Sequence, residues 1–437
     1  MSFLQRRDFL RQAAAITALL TTADGMGNPL TAKPNRNRTG GPADRTILLR
    51  SSWQTVNIGD IGHTPGALQV FKDYLPKTTQ LILWPSSVDN GVAELLKAYF
   101  PALTIAEGKI DENGLPSTPA LKAAFEQADM FVHGSGPSVL AQSHMEAWRK
   151  LTGKPYGVFG VTVGDELDER LTDLLNGAAF VYLRDTISLN RLQNKGIKSP
   201  VLAFGPDATF AIPFRNDQKA SAYLKANGLV DKQFICVIPR LRYTPYYKIH
   251  HTEPTTAQLR NATISDQYKE QDHAKLRETI IAWVRKTGLK VLACPEMTYE
   301  MEVAKELLVD PLPEDVKKNV VWRETYWLPD EATSVYERAR ALISLEMHSP
   351  IMAFQVNTPA FLIRQPTDTS KGQMWRDVGL SDWIFEVDST RGEQITERLM
   401  AVHTDYPAAL KKLAIARAFV KKRQQEMARE VEKAMQG

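Results

Sequence analysis

ALISLEMHSPIMAFQVNTPAFLIRQPTDTSKGQMWR, residues 341–376, reads as strand, polar break, helix, strand, loop. Ala341–Leu345 is a short apolar run that fits a buried strand, with Glu346-Met347-His348 at its carboxyl end. Open α/β sheets hold their ligands outside the carboxyl ends of strands. Ser349 and Pro350 fit an N-cap and an N1 proline, so they predict a helix opening beside His348. The unsatisfied N–H groups of such a helix end favour an anion next to the imidazole.

The alternation continues in both directions. From Thr46 onward, candidate strands are Thr46–Arg50, Gln80–Trp84, Met130–His133, Tyr156–Val161, Phe180–Arg184 and Val201–Phe204, separated by amphipathic stretches. A second series runs through Phe234–Pro239, Lys290–Cys294, Val320–Trp322 and the opening stretch. Strands alternating with helices predict parallel sheets. The fold class is therefore α/β, with two Rossmann-like doubly wound domains, 46–213 and 214–390, facing a central cleft. Residues 1–45 read as signal and linker. Residues 391–437 read as a helical region that breaks near Pro407 and packs on the domains. Between the first strand and first helix of the second series, Arg240–Gln271 reads as a long irregular segment carrying Arg240, Arg242, Tyr243, Tyr246, Tyr247, Lys248, His250 and His251. That composition suits either an aromatic and basic rim for sugar rings or a solvated insertion.

The chain has 437 residues, 43% of them hydrophobic and 24% charged, which fits a soluble globular protein of two domains. A net charge of +4 gives no case for nucleic-acid binding. Cys236 and Cys294 sit in apolar strand-like runs, so buried thiols are expected and no disulfide or metal site is read. Arg6-Arg7-Asp8-Phe9-Leu10 matches the twin-arginine export pattern, with the weakly apolar Ala13–Leu20 behind it. That run is shorter than the roughly 20 residues of a spanning helix, so no transmembrane segment is expected. The reading is a periplasmic or exported protein, and a cytoplasmic one if the arginines are not a signal.

Further segments fall at predicted strand ends. Asn57-Ile58-Gly59-Asp60 leads into a helix, and Asp60 is a candidate base or hydroxyl acceptor. The spacing of a dinucleotide fingerprint is absent there. Gly134-Ser135-Gly136-Pro137 is a Gly-rich turn after a buried run, and Gly157–Gly164 repeats Gly and Val. Arg184-Asp185 needs a partner for its guanidinium, either Asp185 or a ligand carboxylate or phosphate. Gly205-Pro206-Asp207 fits a turn joining domains.

In order and spacing, these segments together with His348-Ser349, Asn357-Thr358-Pro359 and Lys371 resemble the polysaccharide pyruvyl transferase family, from about Thr46 to Val387. The resemblance implies a fold like the two-domain, GT-B-like glycosyltransferases. It also implies transfer of an enolpyruvyl unit from phosphoenolpyruvate, or a similar anionic donor, to a glycan or polysaccharide acceptor, forming a cyclic ketal. Arg184 and His348 match the positions that hold the donor. Lys371 is expected to offset its charge and Asp60 to accept a proton from the sugar. Asn57, Gly59, Gly134, Gly136 and Ser349 are expected to line the substrate site, with no cofactor and no metal. Many family members carry Arg where this chain has Glu346, so a compensating cation is expected from Arg364 or Arg376. Two other readings use the same layout: an exported glycan-binding protein without transferase activity, and a nucleotide-sugar glycosyltransferase.

Overall fold

A computed structural model describes residues 44–436. The twin-arginine pair Arg6-Arg7 and nearly all of the linker after it lie outside the described residues. Among the described residues no helix is long and apolar enough to cross a membrane.

Two parallel sheets form the frame. The first has seven strands, β1 Thr46–Ser51, β2 Gln80–Pro85, β3 Thr104–Ile105, β4 Met130–His133, β5 Tyr156–Val161, β6 Phe180–Leu183 and β7 Leu202–Phe204, in the order β3-β2-β1-β4-β5-β6-β7. The second has six, β8 Phe234–Ile238, β9 Lys290–Ala293, β10 Val320–Trp322, β11 Ala341–Ser344, β12 Ala360–Arg364 and β13 Ile384–Glu386, in the order β10-β9-β8-β11-β12-β13. β4, β8 and β11 are buried along their whole length, as strands covered by helices on both faces must be. Each sheet is an α/β doubly wound unit whose strand order reverses once, between β1 and β4 and between β8 and β11. Those reversals are where the crossover connections part and a crevice opens.

Four helices position the site. They are α1 Ile58–Tyr74, α2 Thr256–Thr287, α3 His348–Gln355 and α4 Tyr406–Gln436. Asn57 caps α1, its Oδ1 accepting from the N–H groups of Gly59 at 2.6 Å and Asp60 at 3.2 Å. Halfway along α1, a Cβ on Gly66 would stand 1.9 Å from the carbonyl oxygen of Ala208. Only glycine allows that approach, which seats α1 on the 3-10 turn Ala208–Ala211. The halves meet over Phe210, whose ring lies edge-to-face on Phe354 of α3 at 5.1 Å. α4 returns to the first sheet, where Phe419 stacks on Phe204 at 6.2 Å. The break before it falls at Asp405, beside the expected Pro407.

Three elements differ from expectation. The segment expected to stay irregular to Gln271 becomes helical at Thr256, because Thr255 and Gln258 form a reciprocal capping box that starts α2 early. The irregular part therefore ends near Thr255, with one short turn, Tyr246–Ile249, inside it. The sheet-edge strands β3 and β13 have only two and three residues, too short to show a period in sequence. Cys236 and Cys294 are buried free thiols, as their apolar runs predicted.

Candidate active site

β11 ends at the reversal point of the second sheet and delivers Glu346-Met347-His348 there. Ser349 was expected to cap the following helix, but α3 already begins at His348 and its first turn has no cap from its own side chains. The cap comes from the end of β9 instead. Glu296 accepts the Ser349 N–H at Oε2, 2.6 Å away, while its Oε1 lies 3.3 Å from His348 Nδ1. The Ser349 hydroxyl turns away to accept from Tyr336 at 3.1 Å. A carboxylate of this chain thus occupies the positive helix end. Burial pushes the His348 imidazole down to about 3, with His63 adding to the effect, so the ring is neutral at ordinary pH. Its buried Nε2 has no hydrogen-bond partner among the described residues.

The first turn of α1 faces this histidine. A Cβ on Gly59 would stand 2.3 Å from His348 Nδ1, so the glycine lets the two halves touch at the imidazole. Asn57 pairs with Met297 across a β-bridge, and the Ile58 N–H donates to the Glu296 carbonyl at 3.1 Å. Asp60 accepts from the amide of Gln54, which also reaches the Tyr246 hydroxyl at 3.3 Å. One helical turn on, His63 Nε2 lies 3.9 Å from Asp60 Oδ1. The His63 ring meets His348 edge-on with centroids 5.1 Å apart.

Behind His63 lies a buried polar layer. His63 Nδ1 is 2.7 Å from Ser135 Oγ and 3.0 Å from Asp207 Oδ1. The partner sought for Arg184 is Asp207 rather than Asp185. Arg184 Nη1 donates to Asp207 at 2.7 Å and its Nε to Thr162 at 2.8 Å. Asp185 is held by its own helix, accepting the Ser188 N–H at 2.8 Å. Burial alone would push the Asp207 carboxyl up, but His63 and Arg184 outweigh it and hold the group well below the usual carboxylate range. The Gly134 and Gly136 N–H groups are taken by the carbonyls of Arg50 and Gly160, and their turn carries Ser135 to the site.

On the other side, Glu346 forms an ion pair with Arg240 at 2.8 Å, and Lys371 Nζ lies 3.9 Å from it. Arg240 also pairs with Asp368. The compensating cation is therefore Arg240, with Lys371 behind it. Arg364 and Arg376 were expected in that role, but both are spent on Glu386, along β13. Burial raises the Glu346 carboxyl despite Arg240. It raises Glu296 as well, against the Ser349 N–H and Lys371, and it raises Glu300 well above the usual range with Glu346 and Glu296 contributing.

The structure thus gathers Asp60, His348 and Lys371 about the carboxyl end of β11 and places Asn57 and Gly59 beside them. Ser349, expected in the substrate site, is buried with its hydroxyl turned to Tyr336, and Arg184, Gly134 and Gly136 lie one layer back. Sequence reasoning missed His63, Ser135 and Glu296. Two signals existed: His63 stands three residues after Asp60 on one helix face, and Glu296 follows a strand end just as His348 does. Among the described residues His63, Asp207 and His348 are one group whose ligand atoms lie within 4.8 Å of one another, close enough to hold a metal ion. An ion there would compete with Arg184 and Thr209 for the Asp207 oxygens. The hydrogen bonds present join His63 Nδ1 to Ser135 and Asp207, while the His63 and His348 rings only touch edge-on.

The comparisons with known proteins agree with this layout. A family model described as polysaccharide pyruvyl transferase matches residues 57–365, from the cap of α1 to the end of β12. No curated protein matches the chain in sequence. Among solved structures, S. aureus MnaA with UDP aligns at a TM-score of 0.54 and 11% identity over 85% of this chain and 91% of its own. HepE of Anabaena in complex with UDP and glucose aligns at 0.52 and 9% over 89% and 100%. The UDP-GlcNAc 2-epimerase of Neisseria meningitidis bound to UDP-GlcNAc gives 0.52 and 11% over 89% and 100%. These likenesses show the fold, the two-domain GT-B type.

Proposed function

The chain belongs to the polysaccharide pyruvyl transferase family, a family of transferases, and from that premise we propose that it moves a pyruvyl group from phosphoenolpyruvate, or a related enol phosphate, to a sugar of a polysaccharide. The product is a cyclic ketal. Two acceptor hydroxyls each bond to C2 of the donor and each lose a proton. One proton goes to the methylene carbon, which becomes a methyl group. The other leaves on the phosphate as the C2–O bond breaks.

The observation that carries this reading is His348 at the reversal point of the second sheet, neutral, with Nε2 unpartnered and Asp60 and Lys371 around the same cleft. Burial destabilises the protonated ring, so a proton passed to it during the reaction is readily given up, the property needed at the methylene carbon. In this proposal Asp60 accepts from a sugar hydroxyl, Lys371 offsets donor charge, and Tyr246 with Gln54 borders the acceptor side. Arg184 supports the site through Asp207. Incubation of the purified protein with phosphoenolpyruvate and candidate glycans tests the reading: phosphate release and a ketal methyl signal in the glycan support it, and neither appearing would sink it.

A second reading, glycan binding without turnover, draws on Glu296, which already fills the helix end where a donor anion would sit. Glycan binding that survives His348→Ala, with no turnover in the wild type, would favour it. For localisation we retain export through Arg6-Arg7 as a proposal. Replacing both arginines with lysine should hold the protein in the cytoplasm, and unchanged export would refute the signal.

A further inference from the structure

His63 is the buried group whose surroundings the reaction above does not yet use. It lies on α1, 0% exposed, with two different environments at its two ring nitrogens. Nδ1 faces Ser135 Oγ at 2.7 Å and Asp207 Oδ1 at 3.0 Å. Nε2 is buried and has no hydrogen-bond partner among the described residues. It looks toward Asp60, 3.9 Å away on the same helix. Edge-on contact with His348 closes the other side.

The hydrogen bonds select the tautomer. Asp207 is held as a carboxylate by Arg184 at 2.7 Å, and an ionised carboxylate only accepts. The proton of a neutral His63 therefore sits on Nδ1, which leaves the lone pair on Nε2 toward Asp60 and His348. An Asp behind a His both orients the ring and stabilises the imidazolium that forms when it takes a proton. Arg184 and Asp207 become positioning residues: they set how His63 is turned and what it can carry. The Ala208 N–H donating to Ser135 Oγ at 3.2 Å fixes the remaining partner of Nδ1.

We infer that His63 is the proton-carrying imidazole between Asp60 and His348. This rests on the pyruvyl transfer proposed above. That reaction takes a proton from a hydroxyl at the acceptor side and delivers one to the methylene carbon at the donor side. Asp60 stands at the first place and His348 at the second, with His63 between them. In the step, Asp60 takes the hydroxyl proton as the sugar oxygen bonds to C2. His63 Nε2 accepts it and is briefly imidazolium against Asp207. His348 receives it and gives it to the methylene carbon. The second hydroxyl proton departs with the phosphate, so His63, His348 and Asp60 end as they began.

The test compares wild type, His63→Gln and His63→Ala for ketal formation from phosphoenolpyruvate and an accepted glycan, with donor affinity and melting temperature measured alongside. The inference predicts a fall of about 10²–10⁴ in kcat for both variants, the range for loss of a general acid–base group, with donor Kd within about threefold. Added imidazole should restore His63→Ala by about tenfold or more, and nitrogen NMR of the wild type should find the His63 proton on Nδ1. Variants that keep kcat within about threefold overturn it. So does a loss of activity that parallels a loss of melting temperature and does not respond to imidazole, because that marks a packing role. If the wild type itself forms no ketal, the reaction falls and this inference with it. An active wild type beside unaffected variants removes only the role of His63.

Discussion

Gly59 lies so close under His348 that a Cβ on it would stand 2.3 Å from the ring's Nδ1 and 2.4 Å from its Cβ. One residue belongs to the first turn of α1 in the N-terminal half and the other to the first turn of α3 in the C-terminal half. Gly59→Ala should improve helix propensity, since alanine is the better helix former. The clash should outweigh it, destabilising by about 1–3 kcal/mol and shifting the imidazole. Denaturant unfolding together with turnover checks this, and a variant as stable and active as wild type would contradict the contact.

Arg184 pairs with Asp207 at 2.7 Å, with both side chains almost wholly buried. Removing one partner of a buried pair leaves the other unpaired, which costs about 3–5 kcal/mol. Arg184→Met should therefore lower the melting temperature by on the order of 10 °C. A residue that only clamped a ligand would leave the free protein's melting temperature unchanged.

Glu296 holds the N-terminal end of α3, where an anionic donor would gain from the helix dipole. Glu296→Gln keeps an acceptor for the Ser349 N–H and removes the charge. Phosphoenolpyruvate should bind the variant on the order of threefold to tenfold more tightly by calorimetry. Weaker binding would mean that the carboxyl is itself part of the donor site.

Burial pushes His133 and His348 from 6.5 down to about 3. Above pH 6.5 both are neutral in the folded and unfolded chains and contribute no pH dependence. As the pH falls from 6.5 toward 3 the unfolded chain binds these protons and the folded one does not, so stability declines. At about 1.4 kcal/mol per pH unit for each histidine, the loss at pH 5 is about 4 kcal/mol. Melting temperatures between pH 7 and pH 5 check it, and a flat profile would show that these rings protonate in the folded state.

Much of the fold was legible in the sequence because long apolar strands and strand-end motifs carry strong local signals. Ala341–Ser344 and the break at Glu346 mark β11 and its ligand end without reference to anything distant. The strand-end rule brought Asp60 and His348 forward and the family resemblance brought Lys371, and the three lie together about the end of β11. What escaped depends on contacts between segments far apart in the chain. Ser349 satisfies the local rule for a cap, yet Glu296, 53 residues away in sequence, supplies it. Arg364 and Arg376 lie nearer to Glu346 in sequence, yet Arg240 reaches it across the sheet because β8 and β11 are neighbours. His63 is marked in the sequence only by its spacing from Asp60, and only the packing of α1 on the Ala208 turn puts Asp207 behind it.

Phosphate release coupled to ketal formation is the measurement closest to the central claim. Purified protein incubated with phosphoenolpyruvate and a panel of oligosaccharides should release one phosphate for each ketal methyl detected by proton NMR, and His348→Gln should abolish both. Phosphate release without ketal, ketal formation untouched by His348→Gln, or no reaction across a broad panel of acceptors would contradict it.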